Sequence, residues 1–316
     1  MTGKTKGRSR KTAVISNLGK KHSQGAFPEG IVTGDQIRQA MDEVGSDLSR
    51  NNPANFLKDL LRKNPENNWP DELLAQRIYG RQVYGNGRVL QLFKAAPGED
   101  PFAPDAGLPN DIPVQKISSL QMDSLARSLG RSEETWLTQV AVSLGLIHQH
   151  LAIYSLDAAM VKDLRFLQVG MKTQPEIDAV FVAEYWLPKK IDFENVFITV
   201  EVKQRGERVL LDQIREQVRK AFGETAKVKD RKVDVVKPMA VNVIRREYEG
   251  AEEDLICVRE YEQVRRSDFD TNYSYMKGEE AVYGLPLDMK SCSAYTLRPA
   301  IGAFGKRKAI KKAPAS

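Results

Sequence analysis

The apolar run Val196-Phe197-Ile198-Thr199-Val200 ends in Glu201-Val202-Lys203, and this junction limits what the chain can fold into more than any other feature. Residues two apart on a strand share a face, so Thr199, Glu201 and Lys203 point one way and Ile198, Val200 and Val202 the other. Just upstream, Glu176-Ile177-Asp178-Ala179-Val180-Phe181-Val182 reads as a second strand, with Glu176 and Asp178 on the face of Val180 and Val182. A carboxylate and an ammonium at the end of a buried strand are costly unless they meet something charged. If the two strands pair, Asp178 and Glu201 converge, and their oxygens can hold a divalent cation with Lys203 beside it. The same triplet also suits an exposed strand carrying a cross-strand ion pair.

The surrounding pattern orders the elements. A helix is expected from Ser132 to about Leu151, then strands near Leu164–Met171, Glu176–Glu184 and Val196–Gln204. A helix over Glu207–Phe222 follows, with Leu210, Leu211, Ile214, Val218, Ala221 and Phe222 at helical spacing, and then strands near Val235–Val243 and Leu255–Arg259. Asp178 followed by Glu201-Val202-Lys203, set in this order of elements, resembles the PD-(D/E)xK nuclease superfamily and within it the type II restriction endonucleases. The resemblance implies an α/β fold, a restriction-endonuclease-like αβββαβ core with a mixed sheet, over residues 117–302. It departs from the family pattern at Pro175, which precedes Glu176 rather than Asp178. The metal ligand is therefore either Glu176 or Asp178, and Asp178 is preferred because it lies deeper in the apolar strand.

The resemblance also implies roles. Asp178, Glu201 and the backbone carbonyl of Val202 would hold Mg²⁺, with Mn²⁺ as a substitute, and Lys203 would position water or neutralise the transition state. Some branches place a glutamine of the following helix against the site, which makes Gln213 a catalytic candidate and Gln217 a secondary one; both also suit a solvated helix face. Some place a glutamate of the preceding helix there, which makes Glu134 a further candidate, although an early acidic residue after Ser132 also serves as a helix cap. The implied activity is Mg²⁺-dependent hydrolysis of phosphodiester bonds in double-stranded DNA, as a site-specific restriction endonuclease and, for a palindromic target, a homodimer. The alternatives are a nuclease of repair, phage defence or mobile-element processing without strict specificity, and a non-catalytic winged-helix regulator.

Other chemistries find little support. The histidines are His22, His148 and His150; the last two lie two apart on a helix and face different directions. Cys257 and Cys292 give no disulfide framework and no zinc spacing. Gly85-Asn86-Gly87 lacks a phosphate-loop lysine and reads as a hairpin turn.

That turn belongs to a separate unit over residues 27–95. Helical patterns at Thr33–Val44, Asn52–Lys63 and Pro70–Tyr79 precede two alternating segments, Arg81–Tyr84 and Arg88–Phe93. Three helices followed by a hairpin resemble a winged-helix DNA-binding module, in which Arg77, Arg81 and Arg88 would face DNA; a small packing or dimerisation domain fits the same pattern. Residues 96–116, proline-rich and acidic, read as a stiff linker. Residues 1–22 hold seven Lys/Arg and no acid, and residues 303–316 hold five more. Without those twelve, 36 basic residues face 42 acidic ones, so the basic balance belongs to the ends. Residues 1–26 and 303–316 are expected to be disordered tails that grip phosphates without reading sequence. No apolar run is long enough to span a membrane or serve as a signal peptide, which points to the cytoplasm.

Overall fold

A computed structural model of the chain describes residues 10–51, 53–62, 65–102, 108–109, 111–128, 134–187, 192–228 and 233–301. The chain divides into two compact units, residues 1–106 and 107–316. No helix among the described residues is long and apolar enough to cross a membrane.

The first unit runs α1 (Arg10–Ser23), β1 (Ile31–Thr33), α2 (Gly34–Glu43), α3 (Pro53–Arg62), α4 (Pro65–Asn68), α5 (Asp71–Ala75), β2 (Ile78–Gln82) and β3 (Arg88–Lys94). Its strands form a small antiparallel sheet in the order β1-β3-β2. Thr33 starts α2 through a capping box: its hydroxyl accepts from the Gln36 backbone while the Gln36 side chain accepts from Thr33 N–H. The turn joining β2 to β3 holds Gly85, Asn86 and Gly87 all at positive φ, as a tight hairpin needs.

Two expectations fail here. Residues 10–23 of the supposed tail form a helix whose Val14, Ile15 and Leu18 are fully buried, because three apolar residues within one turn make a packing stripe that the neighbouring lysines do not disrupt. Residues 1–9 lie outside the described ones. The helix expected over Pro70–Tyr79 stops at Ala75; Arg77 takes φ +60° and the chain turns into β2.

The second unit contains β4 (Val114–Ser118), α6 (Ser124–Ser128), α7 (Glu134–Ser143), α8 (Leu146–Ile153), β5 (Val161–Met171), β6 (Ile177–Leu187), β7 (Asp192–Lys203), α9 (Leu211–Thr225), β8 (Val235–Tyr248), β9 (Ala251–Tyr261), β10 (Val264–Arg265), α10 (Arg266–Asn272) and β11 (Met289–Arg298). It is a mixed sheet in the order β4-β11-β9-β8-β7-β6-β5, with β10 beside β8. The β7–β8 and β4–β11 pairs are parallel and the others antiparallel. One apolar core joins Ile198, Val200 and Val202 to residues of α7 and α8. A second joins Val180 and Phe197 to Ile214, Val218, Ala221 and Phe222 of α9. The alternation along β7 therefore feeds two cores, and buried apolar area of this kind contributes roughly 25 cal/mol per Å².

The long helix expected over Ser132–Leu151 is two helices, separated where Gly145 takes φ +62°. The linker expected over 96–116 ends early. Val114, Gln115 and Lys116 pair with β11, Ile112 is buried, and Arg246 donates to the carbonyls of Leu108 and Pro109. Proline spacing at 109 and 113 marks an extended segment but does not say whether it is solvated. The basic segment 303–316 lies outside the described residues.

Candidate active site

Residues Ala179 to Leu187 of β6 pair with Val200 to Asp192 of β7, which brings Asp178 and Glu201 together where the two strands part. Asp178 Oδ2 accepts a hydrogen bond of 2.8 Å from the Val202 backbone N–H. Glu201 has no solvent exposure and Lys203 is 1 % exposed. The Lys203 ammonium donates to Glu201 Oε1, to the Val202 carbonyl at 2.9 Å and to Glu134 Oε1 at 3.3 Å. Burial, and then the Glu201 charge beside it, push the Asp178 carboxyl well above its ordinary range, against Lys203 and the Val202 N–H, which pull it down. The Lys203 ammonium thus pairs with two carboxylates, Glu201 and Glu134, with Asp178 close by.

Helix α9 adds the next contact. The Gln217 amide donates to Glu201 Oε2 and, at 2.8 Å, to the Glu176 carbonyl. Gln213, the favoured candidate, lies one turn earlier on α9 and is buried as well. Two residues four apart share a helix face.

The two competing acids separate as well. Glu176 holds Lys172 at 2.7 Å with its side chain 44 % exposed, and its contact with the site is through its backbone carbonyl. Glu134, on the first turn of α7, reaches the site through Lys203. Its carboxylate therefore does more than cap a helix.

Three buried polar atoms without hydrogen-bond partners cluster around Glu201. Thr199 Oγ1 lies two residues earlier on the same strand face, Gln217 Oε1 belongs to the amide that holds Glu201, and Asn242 Oδ1 is on β8 at the position paired with Lys203. Such atoms are costly unless a cation or water meets them. Asn242 was not legible beforehand, because a parallel strand neighbour forty residues away leaves no local signal. No group of three or more His, Cys, Asp and Glu among the described residues is arranged as a metal site. Asp178, Glu201 and the Val202 carbonyl are the oxygens that would hold Mg²⁺, an ion bound through one or two carboxylates while it keeps several waters. The Lys203 ammonium already lies among oxygens of this set, where a positive charge is stabilised.

A second buried ion cluster lies further along β8. Lys237, 1 % exposed, donates to Asp157 at 2.8 Å and to Glu260, while Glu260 also accepts from Ser155 and Ser291 at 2.9 and 2.8 Å. His150 Nδ1 lies 2.7 Å from the Ser293 hydroxyl and Nε2 3.0 Å from that of Ser291, so this histidine is a core residue. Burial alone would raise the Glu260 carboxyl, but bonds from His150, Lys237 and Ser291 hold it down at about 2. The Cys257 thiol is buried in β9, and that burial raises it to about 12.

The arginines of the first unit have local work. Arg77 donates to the carbonyls of Ala95, Ala96 and Glu99. Arg88 closes its own hairpin by donating to Gly85 and Tyr84 carbonyls at 3.1 and 2.9 Å. The Arg81 guanidinium stacks 3.8 Å above the Phe93 ring. Each guanidinium is engaged within its own unit, so the structure does not set them out as a free set.

Comparisons of the chain with protein-family models, curated proteins and solved structures found no match in any of the three.

Proposed function

We propose that the chain is a Mg²⁺-dependent endonuclease acting on double-stranded DNA, with Asp178, Glu201 and Lys203 as its reacting centre. The observation that carries this reading is the convergence of Asp178, the Val202 backbone and Glu201 around a buried Lys203 at the parting of β6 and β7. Asp178, Glu201 and the Val202 carbonyl would hold Mg²⁺ or Mn²⁺. When bound, the ion lowers the pKa of a water and neutralises charge on the leaving oxygen. Gln217 fixes the Glu201 carboxylate, and Lys203, tethered between Glu201 and Glu134, supplies a positive charge to orient water or balance the phosphorane. This work belongs in the cytoplasm, where Cys257 and Cys292 stay reduced.

The first unit, with its helices and β1-β3-β2 sheet, supports a winged-helix-like role in holding DNA. Site-specific cutting as a type II restriction enzyme is the favoured form, with two copies cutting the two strands of a palindrome. Engagement of Arg77 and Arg88 with backbone carbonyls favours, in part, a less specific nuclease of repair or defence. A non-catalytic regulator would gain nothing from two buried charges, Glu201 and Lys203, at a strand end.

The test is incubation with Mg²⁺ and supercoiled plasmid, with the ends mapped. Discrete ends that vanish with chelator and in Glu201→Ala support a restriction enzyme, and scattered ends with the same dependence support the less specific nuclease. Absence of cleavage with Mg²⁺ and Mn²⁺, or equal cleavage by Glu201→Ala, overturns the proposal.

A further inference from the structure

Strand β5 forms one edge of the eight-stranded sheet; among the described residues β6 is the strand it pairs with, and the Leu164 carbonyl also meets His148 Nε2 at 3.3 Å. The strand is 11 residues long, yet Phe166, Leu167 and Val169 are 38 %, 54 % and 47 % exposed, while most large apolar residues of β6 to β9 are buried. A long apolar edge with open N–H and C=O groups is a template for another strand. Beside it lies a cleft of about 180 Å³ whose apolar lining includes Leu167, Val182, Phe197 and Val228. Leu167 therefore links the open edge to an unfilled apolar surface on the α9 side of the sheet.

The charges on this edge say what covers it. Natural edges repel other strands with charge of one sign, but Asp163 and Arg165 stand two apart on the same face with opposite sign, and they pair with each other. When a second copy approaches antiparallel about a two-fold axis at Leu164, Asp163 falls opposite Arg165 of the other chain, and Arg165 opposite Asp163. Opposite charges set directly across a pair of strands stabilise it. The same register sets Leu164 against its own copy. Register irregularities between Val161 and Asp163 and between Phe166 and Gln168 leave Asp163–Phe166 as the regular stretch, which is the segment this pairing uses. An unrelated strand has no reason to carry the complementary pattern, whereas a second copy carries it by symmetry. Isologous pairing also consumes both edges, so it closes at two chains and does not propagate.

We propose that two copies of this chain associate through antiparallel pairing of their β5 edges about Leu164, joining the two sheets into one. The surface is argued from the edge alone, so its failure leaves the hydrolysis untouched, and an inactive protein could still dimerise.

Sedimentation equilibrium on the full chain, without DNA or metal, tests it. The wild type is expected as a dimer at micromolar concentration. Arg165→Asp and Asp163→Arg each set like charges opposite one another twice per dimer and should weaken association about tenfold or more. The double swap, Asp163→Arg with Arg165→Asp, restores the pairing and should return association to near the wild-type value. Far-UV circular dichroism checks that these exposed substitutions leave the fold intact. Under mild oxidant, Leu164→Cys should give a covalent dimer that the wild type, with Cys257 and Cys292 alone, does not, since residues facing across antiparallel strands lie within disulfide reach. A monomeric wild type overturns the proposal. So does a double swap that fails to recover what the single swaps lose.

Discussion

Lys203 offers the sharpest test of the site, because its ammonium now holds the place where positive charge is needed. Replacing it by methionine keeps most of the volume and removes the charge. Glu201, with no solvent exposure, then loses its ammonium partner and keeps the Gln217 amide. Removing one partner of a buried ion pair costs about 3–5 kcal/mol, and the surviving amide bond places the loss toward the lower end. For a unit of roughly 200 residues each kcal/mol moves the midpoint by about 2–4 °C, so Lys203→Met should melt roughly 6–20 °C below the wild type in chelator. Divalent cation should then recover stability, since the carboxylates have lost their internal counter-charge. At a hundredfold excess over the dissociation constant the recovery is about 2.7 kcal/mol, and the wild type should gain less because the ammonium competes. Lys237→Met is the control. It breaks an equally buried ion cluster and should destabilise similarly, but Mg²⁺ should not rescue it. Differential scanning calorimetry with chelator and with Mg²⁺ reads all three proteins. The reasoning is refuted if Lys203→Met melts with the wild type, or if Mg²⁺ stabilises Lys237→Met as much as Lys203→Met.

Asp178→Asn and Glu201→Gln should each lower plasmid cleavage by about 10²–10³-fold or more while DNA binding by gel shift persists; Glu176→Gln, whose side chain pairs with Lys172, should cut at near the wild-type rate. Glu260 has a carboxyl held at about 2 against an ordinary 4.5, so it contributes stability that is complete above pH 4.5 and is lost as pH falls toward 2. The difference amounts to about 3 kcal/mol; urea unfolding between pH 6 and 2.5 should show a flatter acid limb for Glu260→Gln, and an unchanged limb would remove the Lys237–His150–Glu260 network as its source. Arg77→Ala strips donors from three loop carbonyls and should lower the stability of the first unit by about 1–3 kcal/mol with target choice unchanged. Altered cleavage pattern with unaltered melting would return Arg77 to the DNA face.

Some of this molecule was legible in the order of its residues and some was not. Strand alternation is a property of each residue and its second neighbour, so Glu201 and Lys203 could be set on one face, and Ile198, Val200 and Val202 on the other, before any partner was known. Helical spacing likewise placed Ile214, Val218, Ala221 and Phe222 toward the sheet, and the Gly-Asn-Gly turn announced its hairpin through backbone angles that those residues tolerate. What depended on distant partners stayed hidden. The reach of the Gln217 amide to Glu201 is set where α9, β6 and β7 meet, whereas the preference for Asp178 over Glu176 was already legible in the greater depth of Asp178 in its apolar strand. The engagement of Arg77 with the backbone at 95, 96 and 99, the arrival of Asn242 beside Lys203, and the burial of one side of a basic helix at residues 10–23 were likewise decided by packing. Local sequence sets which way a side chain points; only the closing of long loops sets what it meets, because pairing over tens of residues is chosen by the whole core at once.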